Sequence, residues 1–91
     1  MNEISIDENS QKDEFSINPN PSRYNQVEIL LPESIRSGLL EVWTVQGEKV
    51  LSREFKESEK ISLNTLFMAP GVYTVRISNQ RIEQFKPLIK L

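Results

Sequence analysis

The stretch Phe15-Ser16-Ile17-Asn18-Pro19-Asn20-Pro21-Ser22 limits what this chain can fold into more than any other. A short alternating run, with Phe15 and Ile17 in phase, breaks at Pro-Asn-Pro. Proline fixes φ and lacks a backbone donor, so Pro19 and Pro21 end any strand that precedes them. Asn20 stands before a proline and is therefore held out of the helical region. The segment is a rigid entry, and a series of β-type runs follows it.

Val27, Ile29 and Leu31 share one face at period two, which suits a half-buried strand that Pro32 stops. Glu33 to Gly38 is polar and ends in glycine, a turn signal. Leu40 and Val42 share a face of the run Leu39 to Val45. Gln46-Gly47 links that run to Glu48–Phe55, and Gly47 can take the positive φ that a hairpin turn requires. The alternation slips around Val45 and Leu51, so a bulge or uneven register is expected there. Lys56 to Lys60 is a charged turn, and Ile61 with Leu63 marks another strand. Thr65 to Gly71 is too short for a stable helix and is expected to form one 3₁₀ turn before Pro70-Gly71. Tyr73, Val75 and Ile77 face inward from the strongest strand. Asn79-Gln80 then turns the chain into a last strand, Arg81 to Leu91. Pro87 inside it removes one ladder donor and confines that strand to an edge or a bulge.

No stretch holds a helical period. About seven short runs with frequent turn signals imply an all-β chain, solved most naturally as an immunoglobulin-like antiparallel β-sandwich. Val27, Ile29, Leu40, Val42, Ile61, Leu63, Tyr73, Val75 and Ile77 are its expected core.

Composition narrows function mostly by exclusion. Eleven basic residues against 13 acidic ones give a net charge of −2, with no basic block to neutralise a phosphate backbone. Nucleic acid is therefore not an expected partner. With neither cysteine nor histidine, disulfides, Cys/His zinc sites and Ser–His or Cys–His nucleophile pairs are all excluded. No cofactor and no metal site are expected, and no enzyme. Carboxylates such as Glu54, Glu57 and Glu59 lie in a charged turn and are read as solvated surface, not as a catalytic pair. No apolar run reaches the roughly 18 residues that a transmembrane helix needs. Met1 to Ser10 has no basic start and no apolar segment, unlike a secretory signal peptide. Met1 to Glu14 carries five acidic residues and one lysine and is expected to be a flexible linker. Ile4 and Ile6 alternate there and suit a short edge strand if a partner is available. Residues 15–91 form the folded unit.

Three blocks carry a resemblance to a family. They are Ile17-Asn18-Pro19-Asn20-Pro21-Ser22, then Leu40-Glu41-Val42-Trp43-Thr44-Val45-Gln46-Gly47-Glu48-Lys49-Val50, then Leu66 through Ile77 with Pro70-Gly71-Val72-Tyr73, ahead of a hairpin ending in Leu88-Ile89-Lys90. In order and spacing they resemble the type A C-terminal sorting domain of proteins secreted by the type IX system of Bacteroidota. Trp43 stands where that family usually has tyrosine. Arg23-Tyr24-Asn25-Gln26 lacks the glycine common after Pro-Asn-Pro-Ser, and Pro87 interrupts a terminal strand that usually has none.

The resemblance implies an address, not a chemistry. Its partners would be the type IX translocon, a surface sortase and a covalently linked upstream cargo. The cargo would cross the periplasm, reach the cell surface and be attached at the outer membrane after sorting. Cleavage would fall in the linker, within Met1 to Glu14. The alternative is a small immunoglobulin-like adhesion or carbohydrate-associated binding module of a secreted protein.

Candidate signal residues are Pro19, Asn20, Pro21, Gly47, Gly71, Tyr73, Lys86, Leu88, Ile89, Lys90 and Leu91. Each has a plainer reading beside the functional one. Pro19–Pro21 can serve simply as a rigid entry, the two glycines as turn residues, and Tyr73 as core. Trp43 suits either the core or a surface contact. Lys86 and Lys90 either meet the translocon, beside a terminal strand able to add to a partner's sheet, or blunt an exposed edge.

Overall fold

A computed structural model describes residues 13–22 and 25–91. The expected linker up to Lys12, including Ile4 and Ile6, lies outside the described residues. So does the Arg23-Tyr24 part of the turn after Ser22.

Among the described residues, alternating apolar residues build seven strands: β1 (Ser16–Asn18), β2 (Gln26–Leu30), β3 (Gly38–Thr44), β4 (Lys49–Phe55), β5 (Lys60–Asn64), β6 (Gly71–Ser78) and β7 (Glu83–Lys90). They form two antiparallel sheets, ordered β1-β2-β5 and β4-β3-β6-β7. This is an immunoglobulin-like sandwich in which the fourth strand pairs with β3 instead of joining the first sheet. All nine residues expected in the core are buried between the sheets. Each such large apolar side chain contributes about 1.5–3 kcal/mol through removal from water.

The β3–β4 hairpin turns at Gly47, whose φ is +94°. Its register runs Val42↔Leu51 and then Trp43↔Lys49, so Val50 is the extra residue of the expected bulge. Gly38, read as part of a turn, instead opens β3. A Cβ there would lie 2.2 Å from the Ser78 carbonyl oxygen, so only glycine lets β3 approach the end of β6 this closely.

Two local expectations are refined. Thr65 to Gly71 closes as one turn through an i→i+3 bond, the Met68 N–H on the Thr65 carbonyl at 3.0 Å, and Met68 drops into the core. The polar stretch Glu33–Gly38 hides Ile35, which is fully buried and seals one end of the sandwich.

Candidate functional site

The entry segment and the last strand form one unit. In β7, alternate residues share a face with the inward row of β6: Gln84 lies opposite Ile77, Lys86 opposite Val75 and Leu88 opposite Tyr73. Residues 13–22 run along this strand. Gln84 Nε2 donates to the Asp13 carbonyl, and the Phe15 N–H donates to Gln84 Oε1 at 3.0 Å. Lys86 Nζ pairs with Glu14 at 2.8 Å. Farther along, the Asn20 amide grips the backbone of β7 twice. Its Nδ2 donates to the Pro87 carbonyl at 2.8 Å, and its Oδ1 accepts from the Ile89 N–H at 3.1 Å. Ser22 then pairs in parallel with Lys90, giving its N–H to the Ile89 carbonyl and accepting from the Leu91 N–H.

The Pro-Asn-Pro spacing thereby acquires a mechanism. Two flanking prolines offer no N–H for a ladder, so the asparagine side chain stands in for backbone against β7. Both prolyl bonds, Asn18–Pro19 and Asn20–Pro21, are cis. Upstream, Phe15 and Ile17 are buried and β1 pairs with β2, so the segment joins both sheets.

Pro87 is less disruptive than its lost donor suggests. Backbone N–H and C=O of one strand residue point the same way, and the Pro87 carbonyl points outward to Asn20. The missing N–H therefore belongs to the outer side of β7, and no bond to β6 is lost. The expected open edge at this end of β7 is likewise absent, because Asn20 and Ser22 occupy it.

The other candidate residues take up varied positions. Gly71, with φ +153°, opens β6 opposite Lys90. Tyr73 is core, with its hydroxyl donating to the Ala69 carbonyl at 2.7 Å. Leu88 is fully buried, Ile89 is half-buried and Leu91 is exposed. Gly47 lies past Thr44, which is opposite Tyr73, so it sits at the same end of the sheet but two strands away from β7. Lys90 does not project into solvent. It is buried, and its ammonium donates to the Thr65 carbonyl at 3.0 Å, with Asn25 Oδ1 at 3.3 Å and Thr65 Oγ1 at 3.5 Å. Lys90 thus ties the end of β7 to the β5–β6 loop. Trp43 is half-buried on the outer face of the larger sheet, with the Lys49 ammonium 5.6 Å from its ring.

Sequence reasoning missed an ionic cluster on that outer face. Glu41, opposite Arg76, is buried there and meets Arg76 Nη1 and, at 3.5 Å, Lys49. Arg76 also places Nε and Nη2 on one Glu83 oxygen at 2.7 and 2.6 Å. Burial would raise the Glu41 pKa. The Arg76 hydrogen bond and charge, aided by Lys49, outweigh it and hold the carboxyl below its ordinary value. Arg76 is pushed up, chiefly by its hydrogen bond to Glu83 and then by that to Glu41. The available signal was a lone acid inside the apolar run Leu39–Val45. The arrangement is saturated with partners and organises the sheet surface.

No curated protein matches the chain. A profile of the family described as the secretion system C-terminal sorting domain matches residues 16–91, which takes in every strand and the Pro-Asn-Pro segment. From its first strand onward, this chain belongs to the family of type IX secretion system C-terminal sorting domains.

Proposed function

We propose that this domain is a non-catalytic signal that directs an upstream cargo through the type IX translocon to the cell surface. The observation that carries the reading is the family match over residues 16–91, which coincides with the whole sandwich. The cargo enters the periplasm, exits through the translocon and is attached at the outer membrane. A surface sortase cuts the linker within Met1 to Glu14. The burial of Phe15 supports that boundary, because a cut beyond it would split the core.

The test is a reporter with a periplasmic signal peptide, fused ahead of Met1 and expressed in a type IX-competent cell. Surface reporter, absent from a translocon-deficient strain, is the expected result. The released reporter should end within Met1 to Glu14 by mass spectrometry. A folded fusion that stays periplasmic would overturn the reading.

A further inference from the structure

The last strand has an inverted polarity. A half-buried strand normally turns apolar residues inward and polar ones outward. In β7 the inward row is Gln84, Lys86, Leu88 and Lys90, of which only Leu88 is apolar. The outward row is Glu83, Phe85, Pro87 and Ile89, apolar from Phe85 onward, with Arg76 of β6 opposite Phe85 and Val72 opposite Ile89. Phe85 is 56% exposed and Val72 50%, and Leu91 just past the strand is exposed as well. The inward polar groups all have uses within the fold: Gln84 and Lys86 hold residues 13–15, and Lys90 holds Thr65. Nothing among the described residues covers the outward apolar stripe.

We propose that this stripe, Phe85, Pro87 and Ile89 with Val72 and Leu91, is the surface by which a protein of the export machinery reads the domain. The contact is side chain to side chain, against an apolar, uncharged patch of that protein. This rests on the sorting reading and names the site that serves it. Two observations fix the chemistry of the occupant. The edge of β7 at Pro87–Leu91 is filled by Asn20 and Ser22, so strand addition there is closed and only the face is left. The ionic groups beside the stripe, Glu83, Arg76, Glu41 and Lys49, neutralise one another. A neutral apolar face complements a neutral apolar face; an anionic lipid surface would call for unpaired cations.

The experiment uses the reporter fusion above with Phe85→Ser and Val72→Thr combined. Thermal unfolding of the purified chain checks the fold. Surface reporter should fall roughly tenfold or more, the loss that follows removal of a buried interface anchor. Phe85→Tyr with Val72→Ile, which keeps the apolar area, should be exported normally. Should the first pair unfold the domain, Leu91→Ser, beyond the last strand, carries the same test with a smaller loss.

Normal export of the folded polar variant overturns the inference while leaving the sorting reading intact. Failure of the unsubstituted fusion removes both. Two measurements on the purified chain identify the wrong occupant. Co-flotation with phosphatidylcholine–phosphatidylglycerol vesicles that Phe85→Ser abolishes would make the face a lipid contact. Self-association in sedimentation that Phe85→Ser abolishes would assign it to a second copy. Either overturns the proposal.

Discussion

Along the flank where β1 and β7 meet, the sandwich is stitched shut. Along the opposite flank, where β4 and β5 run, it is only bridged. On the first flank, residues 13–22 put two apolar side chains into the core, an ion pair on Lys86 and an asparagine amide on the backbone of β7. On the second, the described link between the strands is Arg53 Nη1 donating to the Ser62 carbonyl at 3.2 Å, with both residues exposed. The difference shows two ways to manage a sheet edge. One covers it with another piece of chain and a proline; the other leaves it short and charged and interrupts it with a bulge. A covered edge draws stability from burial, whereas a charged edge mainly discourages pairing.

The contrast can be broken by substitution, and the largest effect is expected on the covered side. Phe15→Ala should cost about 3–5 kcal/mol, because a fully buried aromatic leaves a cavity where the two sheets join. Urea unfolding measures it, and a loss near that of a surface substitution would show that the flank is not anchored through its core.

Midway between the flanks, Glu41→Gln should cost about 1–2 kcal/mol through weakened bonds to Arg76 and Lys49. It should also change the acid response. The Glu41 pKa is lowered on folding, so its contribution is fully present above the ordinary carboxylate value of about 4.3 and fades as pH falls through the lower folded value. Melting temperature between neutral and strongly acid pH should therefore drop more steeply in the unsubstituted chain than in Glu41→Gln. Parallel curves would rule out the ion pair as the cause.

Asn20→Ala should cost about 1 kcal/mol, since it removes two hydrogen bonds at a position water can reach. Amide exchange sharpens the result: the Ile89 N–H should lose protection while that of Val75 in the sheet interior keeps it. Arg53→Ala is expected to be smallest, within about 0.5 kcal/mol, as for other exposed surface groups. If Arg53 mattered as much as Asn20, the two flanks would be equivalent.

Much of this arrangement could be read from period two alone. Val27 with Ile29, Ile61 with Leu63, and Tyr73 with Val75 and Ile77 each repeat an inward position, and all are buried. The slip near Val45 and Leu51 located the bulge, because an extra residue must break alternation. Ile35, Phe55 and Met68 escaped because each is a single apolar residue beside a turn, where no repeat exists to mark it. The pairing of Asn20 with β7 was illegible for another reason. A side chain that replaces backbone leaves no pattern in its own segment, and its partner lies 67 residues away. The same holds for Lys90, whose partners Thr65 and Asn25 come from two loops that meet at one end of the first sheet. In β7 the pattern itself misleads, since the apolar row faces outward and Leu88 alone of the inward row fills the core.

The pairing of the entry segment with the final strand also sets an order in time. Contacts such as Phe15 with Gln84 and Asn20 with Ile89 span 69 residues. Such remote closures are the slow ones, because a long loop must be ordered before any contact rewards it. A ribosome that stops before Glu83 leaves the entry segment paired with β2 alone, without the strand that Asn20 and Ser22 grip. The sandwich is thereby a receipt for a finished message: only a chain translated to its last strand can display a completed β1–β7 seam.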